Sequence, residues 1–396
     1  MSENRSGAPP GPAILQIVPS LETGGAERST IEIAAALVRE GFTSLVASAG
    51  GRMVAELEDA GGEWIAMPVN SRSPAMLWAN ARRIRDLIRV RNIKLIHARS
   101  RAPAWSALWA ARQAAVPFVT TYHGLYTAHT PLKRFYNSVM VRGDAVIANS
   151  EWTARHISSE YGSAPKRLVV IPRGVDLARF DPARIPAERV RQLRADWGAA
   201  ESDIVILLPG RLTRLKGQLV LTAALRKLAN ESQLNNIRAV LVGDALGRST
   251  YEQELRRAIS AAGLERNVVL AGHVNDMPAA YLAADIVVSA STQAESFGRV
   301  TAEASAMERP VIATNHGGAR ETVLPGISGL LTPAGDSEAL AQALRKLIAA
   351  SPAAHAAMGA EGRAHIARNF TVERMTADTI ALYRELLGET AADGRL

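Results

Sequence analysis

The sequence predicts an α/β protein made of two doubly wound parallel-sheet domains in tandem. Three observations carry that reading. Strand-like and helix-like segments alternate along nearly the whole chain, the pattern of parallel strands joined by crossover helices. The strand segments are short apolar runs, as expected for a sheet covered on both faces. The 396 residues are too many for one ordinary core, and an apolar content of 47% is enough to build two.

The elements follow in order. A polar, Pro/Gly-rich stretch (1–12) is expected to be a disordered tail. AILQIVPS (13–20) reads as a strand and AERSTIEIAAALVREG (26–41) as a helix ended by Gly41. FTSLVASA, EWIAMPV, IKLIHAR, PFVTTYHG and DAVIANS read as further strands. The helices that follow them in turn are MVAELEDAG, MLWANARRIRDLIRVRN, PAWSALWAARQAA, PLKRFYNSVMVRG and EWTARHISSEYG. RLVVIPRGVD closes a first domain, 13–176. Pro, Arg and Asp crowd 177–202, which reads as a linker. A second domain, 203–370, opens with the strand DIVILLPGR (203–211), followed by strands at IRAVLVGD (237–244), NVVLAGHV, DIVVSAS and PVIATNHGG. Helices fill the intervals and continue from Ser337. The last, about 371–388, is expected to pack back on the first domain.

The net charge is +8, and all of the excess lies in residues 1–175, where 21 Lys/Arg meet 13 Asp/Glu. Between Asn70 and Arg142, 13 basic residues face a single acid, Asp86, with Trp, Tyr and Phe interleaved. Such a stretch fits an anionic membrane surface or nucleic acid, or a solvated basic face over core aromatics. No helix-turn-helix, zinc or RNP pattern accompanies it, so nucleic acid is not expected as a partner. The absence of cysteine excludes disulfides, thiolate metal sites and Cys nucleophiles, and fits a reducing compartment. No apolar run has bilayer length, and the first residues lack the apolar core of a signal peptide. The protein is expected in the cytoplasm, peripheral on the inner face of the cytoplasmic membrane.

The chemistry concentrates where strands run into helices. DIVVSAST (285–292) is a strand, and a helix opens at about Phe297. Glu295 then sits in the turn and Glu303 about two turns inside the helix. A helix opening there aims free N–H groups at whatever sits above the sheet edge, and phosphate is the usual guest. Two carboxylates would repel phosphate but accept hydrogen bonds from sugar or ribose hydroxyls. A sugar nucleotide has both parts. The other reading is a pair of solvated helix glutamates.

Other loops add to this. Gly24 and Gly25 follow the first strand, where adjacent glycines let backbone approach a bulky ligand. The spacing is neither GxGxxG nor GxxxxGK[ST], so the nicotinamide and P-loop fingerprints are absent. GRLTRLKG carries Arg211, Arg214 and Lys216 at a strand end, a set suited to a diphosphate or to a basic surface loop. His123 and His97 stand at strand ends. Gly243 and Asp244 lie where a loop can border a base. Gly317 and Gly318 form a second flexible turn.

Taken together, GGAE (24–27), HG (123–124), NS (149–150), IPRGVD (171–176), GRLTRLKG (210–217), VGD (242–244), GHVND and YLAAD (272–285), ESFGRVTAEA (295–304) and PVIAT…GG (310–318) stand in the order of a known family. The chain resembles glycosyltransferase family 4, whose GT-B fold sets two Rossmann-like domains across a cleft. The likeness covers roughly 13–385. It implies a retaining, metal-independent transfer of a sugar from a nucleotide-sugar donor, a UDP- or GDP-sugar, to a hydroxyl. It implies that Glu303 holds the ribose, Glu295 the donor sugar, and the backbone of Ser296, Phe297 and Gly298 the diphosphate. By the same likeness Arg211 and Lys216 supply positive charge in place of a metal, Gly24, Gly25, Gly243 and Asp244 border the donor, and His123 touches the sugar near its reacting carbon. Front-face attack is expected, since no carboxylate is placed as a covalent nucleophile.

This sequence departs from the family at three places: Arg173 where Asn is more usual, Ser296 where a second Gly is, and Arg299 where an aliphatic residue is. The acceptor is expected to be an anionic glycolipid or glycan, of lipopolysaccharide or another cell-envelope pathway, held by the basic first domain through Arg99, Arg101, Tyr122 and Arg173. The competing readings are a sugar-nucleotide epimerase or a phosphorylase on the same scaffold, and a nucleic-acid-binding protein.

Overall fold

The computed structural model describes residues 11–22, 24–126, 130–231, 234–245, 247 and 249–389. Of the tail expected at 1–12, residues 1–10 lie outside these. The Pro12 carbonyl accepts from Thr43 N at 3.2 Å. The chain divides into two compact units, one of 1–173 with 373–396 and one of 174–372.

The first unit holds seven strands: β1 (Ala13–Ile17), β2 (Thr43–Ser48), β3 (Glu63–Ala66), β4 (Ile93–Ala98), β5 (Phe118–Tyr122), β6 (Ala145–Ala148) and β7 (Leu168–Val170). They lie in the order β3-β2-β1-β4-β5-β6-β7, and every neighbour is parallel. The crossover helices are α1 (Gly25–Arg39), α2 (Val54–Asp59), α3 (Pro74–Arg91), α4 (Arg101–Ala114), α5 (Pro131–Asn137) and α6 (Glu151–Tyr161). Parallel strands need such crossovers, and burial on both faces explains why β1, β5 and β6 are buried at every residue. Pro74 at the start of α3 and a left-handed Asn92 after its end fix its limits. PLKRFYNSVMVRG is not one helix. After α5 it tightens into a 3-10 turn at Ser138–Val141, because Asn137 is buried and its amide is tied to Arg101 and to the Tyr126 carbonyl.

The second unit holds β8 (Ile204–Pro209), β9 (Ile237–Val242), β10 (Val268–Gly272), β11 (Ile286–Ser289), β12 (Val311–Thr314) and β13 (Gly329–Thr332), in the order β10-β9-β8-β11-β12-β13. All of these pairs are parallel as well. Its helices are α7 (Ala187–Asp196), α8 (Gln218–Asn230), α9 (Ser249–Ala261), α10 (Met277–Ala283), α11 (Arg299–Ala306), α12 (Ala319–Thr322), α13 (Ser337–Ile348) and α14 (Pro352–Asn369).

Residues 177–202, expected as a linker, are part of this unit. They carry α7, whose Arg189 Nε pairs with Asp276 at 2.6 Å and whose Arg194 Nη2 donates to the Asp203 carbonyl at 2.6 Å. Phe180 and Trp197 on either side are buried in its core. The last helix, α15 (Val372–Leu386), groups with the first unit. Its Tyr383 hydroxyl bonds His97 Nδ1 on the central strand β4, and its Glu385 clamps Arg167 with Nη2–Oε2 at 2.8 Å.

The strand order reverses direction between β1 and β4 in the first unit and between β8 and β11 in the second. At such a switch point the loops leaving neighbouring strands turn to opposite faces and open a crevice beyond the strand ends. The loops at 18–25 and 99–101, and those at 210–217 and 290–298, leave these strands.

Candidate active site

In the second unit the two loops of the switch point are stitched together. Thr292 N donates to the Leu215 carbonyl at 2.9 Å, and its hydroxyl donates to Arg214 O at 3.1 Å. Gly217, at φ +73°, passes so close to this loop that a Cβ would stand 1.8 Å from the Ala290 carbonyl oxygen. Only glycine fits both constraints. The result brings Lys216 Nζ to Glu295 Oε1 at 2.9 Å, with Ser291 Oγ donating to the same oxygen. Desolvation alone would raise the Glu295 carboxyl, but the Lys216 ammonium and the Ser291 hydroxyl outweigh it and hold it below the usual carboxylate range. Both bonds fall on Oε1, and among the described residues none is given to Oε2, which can accept from a hydroxyl.

Glu303 is the fifth residue of α11, a little over one turn in rather than two. It is buried at 8% exposure, and both oxygens are held. Arg299 Nε reaches Oε1 at 3.0 Å, and Tyr281 OH donates to Oε2 at 2.9 Å. Burial, then the Glu303 charge, push the Tyr281 phenol well above its ordinary value, so it stays a donor. Arg299, one of the three departures, thus clamps the ribose candidate. Ser296 and Phe297 are buried, and Gly298, at φ +85°, turns the chain into α11. The N–H groups of that first turn face outward from the helix start.

The other expected donor residues surround this centre. Arg211 is exposed beside it. Arg214 is drawn away to Glu254 at 2.8 Å. Gly243 N donates to the Gly272 carbonyl at 2.7 Å, and the Asp244 carbonyl accepts from Leu212 N at 3.0 Å, so the ends of β8, β9 and β10 are tied in series. Among the described residues no three His, Asp or Glu side chains converge as metal ligands.

In the first unit, Gly24 is exposed ahead of α1, and Gly25 is its first residue. His123 follows β5, and Arg173 Nη2 donates to its Nδ1 at 2.7 Å. Desolvation and then the Arg173 charge push the imidazole well below its ordinary pKa. The ring is therefore neutral, with its proton on Nε2. Arg101 is half-buried, its guanidinium 4.3 Å above the Tyr126 ring and bonded to Asn137 at 2.8 Å.

Two expected acceptor contacts are corrected. Tyr122 is wholly buried, with its ring 4.5 Å from that of Tyr126. Arg99 is 2% exposed and spends its donors on Gln16 at 2.6 Å and on His97. Both are interior groups, because a sheet covered on both faces buries the side chains at its strand ends whichever face they take.

Sequence reasoning missed two features. Gly317 and Gly318 are a close-packed brace rather than a flexible turn: Gly318 N donates to the Glu295 carbonyl at 2.8 Å, and a Cβ on Gly318 would lie 2.3 Å from Phe297 O. His316, beside them, contributes to lowering the Glu295 carboxyl, and its Nε2 is buried with no hydrogen bond among the described residues. The adjacent glycines were the available signal for both.

The chain and its fold have counterparts among known proteins. The family model Glycosyltransferase Family 4 matches residues 23–179, and Glycosyl transferases group 1 matches 190–365. A solved glycosyltransferase from Rickettsia africae is 34% identical with a TM-score of 0.88, covering 96% of this chain and 100% of that one. Anabaena HepE, solved with UDP and glucose, is 27% identical at TM-score 0.81, covering 93% and 98%. D-inositol 3-phosphate glycosyltransferase of Geodermatophilus obscurus is 35% identical over 260 residues, 64% of this chain and 55% of the relative. The chain spans little more than half the length of such curated relatives.

Proposed function

The chain belongs to glycosyltransferase family 4, and from that footing we propose that it moves a sugar from a UDP- or GDP-sugar to a hydroxyl of an anionic glycolipid or glycan of the cell envelope, with retention and without a metal. The observation that carries the reading is the Lys216–Glu295 pair at 2.9 Å, with Glu303 a little over one turn inside the helix that follows. One centre thus offers a cation, a helix start and two carboxylates. A diphosphate needs the first two, and sugar and ribose hydroxyls need the others.

In this reading Glu303 Oε2 accepts from the ribose and Glu295 Oε2 from the donor sugar. Each carboxylate oxygen has two lone pairs, so the bonds already present do not block them. Arg211, Lys216 and the N–H groups at Ser296–Gly298 meet the diphosphate and stabilise the charge it gains as the bond to the anomeric carbon breaks. The acceptor hydroxyl attacks on the same face, and its proton passes to the departing phosphate oxygen. Neutral His123 donates from Nε2 to the donor sugar. Arg101 and Arg173 serve the anionic acceptor, and the chain works at the inner face of the cytoplasmic membrane. The complexes of HepE with UDP and UDP-glucose support the UDP branch. The relatives' name, with a phosphorylated polyol as acceptor, supports an anionic acceptor.

Thermal unfolding against UDP-, GDP-, ADP- and dTDP-sugars tests this. A donor at 100 times its Kd adds about 2.7 kcal/mol, or a rise of roughly 5–10 °C for a domain of this size. Glu303→Ala and Lys216→Ala are expected to abolish the rise. No rise with any sugar nucleotide would overturn the donor site.

A further inference from the structure

A groove of about 970 Å³ lies within the first unit, between α3, α4 and α5. Its inner wall is apolar: Leu77 and Trp105, both buried, with Tyr126 beyond. Trp105 packs against Phe135 with ring centroids 5.2 Å apart and against Trp109 at 5.9 Å. Its margin stays open to solvent: Leu132 is 78% exposed and Phe135 55%. Three cations, Arg72, Arg101 and Lys133, complete the lining, and no carboxylate does.

Two facts decide what fills it. Of the eight large apolar side chains exposed among the described residues, five (Trp78, Val90, Trp109, Leu132 and Phe135) fall between residues 78 and 135. They lie within residues 70–142, which hold 13 basic residues and one acid; Asp86 is paired with Arg85 at 3.2 Å, Arg91 with Glu63, and Arg99 is interior. Exposed apolar side chains (Trp109, Leu132 and Phe135) and cations (Arg72, Arg101 and Lys133) therefore coincide around the groove. Arg82 lies 4.0 Å above Trp78, and Arg142 lies over both Trp105 and Phe135, so cations and rings are layered. A hydrocarbon chain joined to an anionic headgroup matches both properties at once, whereas an amphipathic peptide would need acids to meet the cations. Among the described residues no helix is long and apolar enough to cross a membrane, so attachment would come from such a surface.

We propose that this groove takes one hydrocarbon chain of a phosphorylated lipid, with Arg72, Arg101 and Lys133 around the phosphate and Trp105, Trp109 and Phe135 around the tail. The inference deepens the membrane part of the function proposed above and rests on it. It separates a chain drawn out of the bilayer into the protein from mere adsorption of a basic face.

The test uses the full chain with phosphatidylglycerol vesicles, and phosphatidylcholine as control. A Trp78→Phe background makes Trp105 and Trp109 the reporters at this face. Sedimentation with phosphatidylglycerol alone, together with quenching of Trp fluorescence by acyl-brominated phosphatidylglycerol, is the expected result. Leu132→Glu with Phe135→Ser changes exposed side chains. It should lose the quenching and lower the partition coefficient on the order of 100-fold, while its unfolding temperature holds. Arg72→Ala with Lys133→Ala should weaken sedimentation about 30-fold, at roughly fivefold per lost charge. Sedimentation without quenching would reduce the groove to a basic face and overturn the proposal, as would an unchanged Leu132/Phe135 variant. No sedimentation at all would also overturn it and give the groove to a protein partner. Stabilisation by sugar nucleotide, read on the same samples, reports the second unit separately. If that fails while quenching persists, the transferase reading falls and the lipid groove stands.

Discussion

Replacing Arg173 by Met removes the guanidinium that donates to His123 Nδ1 at 2.7 Å and keeps much of the side chain's length and apolar stem. Arginine has only donors, so its presence forces Nδ1 to accept and leaves the ring proton on Nε2. Arg173 is therefore a positioning residue for His123. A hydrogen bond from a charged donor contributes about 1.5–3 kcal/mol, and its loss is expected to lower kcat about 10- to 150-fold. The charge acts as well. Desolvation and then Arg173 hold the imidazole well below its ordinary pKa, so without Arg173 the ring protonates at a higher pH. The acid limb of the kcat profile should move up toward about pH 6.5. Arg173→Lys, which keeps a charge and a donor, should recover part of the loss. The assay is the initial rate of nucleoside diphosphate release from the sugar nucleotide that stabilises the chain, followed from about pH 5 to 8. A loss confined to KM for the acceptor, with the acid limb unmoved, would refute the reasoning and leave Arg173 as an acceptor contact only.

Two further outcomes are expected. Gly318→Ala puts a methyl 2.3 Å from Phe297 O and 2.4 Å from its Cα, backbone atoms that cannot turn aside; overpacking of this kind costs about 1–3 kcal/mol, and thermal unfolding should show both that loss and a weaker response to sugar nucleotide. His97 and His123 both have pKa values depressed in the folded state, first by desolvation. Their contribution is present above the unfolded value near 6.5 and is lost as pH falls below it, by up to about 1.4 kcal/mol per pH unit for each. Denaturant titration between about pH 6.5 and 5 should show that slope, and His123→Gln should remove about half of it.

The fold was legible because its signal is local. Runs such as IVILLP and AVIA can bury only as strands, and their alternation with helices dictates parallel pairing. Residues 177–202 misled for the same reason: α7 has no buried residue, so no apolar period marks it. It is held by Arg189 and Arg194, whose partners Asp276 and Asp285 are 87 and 91 residues away. The site divides along the same line. The glutamates and the cationic loop could be found because strand ends and helix starts place them. That Lys216 neutralises Glu295, 79 residues on, that Arg173 locks His123, 50 residues back, and that Arg99 and Tyr122 are interior are products of packing.

The C-terminal helix has a consequence for how the molecule is made. The chain leaves the first unit at residue 173 and rejoins it at 373, so one unit is inserted within the other. The ends of the insert meet in a bridge between Val175 and Thr371, with Val175 N donating to the Phe370 carbonyl at 2.8 Å. Domains fold as units while synthesis proceeds at about 5–20 residues per second. Here the insert has all its residues before the unit that precedes it does. The first unit waits, with the place above His97 empty, for Tyr383 to emerge from the ribosome. A nascent chain that stalls before residue 373 would lack α15, the last piece of the first unit. That makes the first unit the last of the two to be completed, although most of it is synthesised before the other.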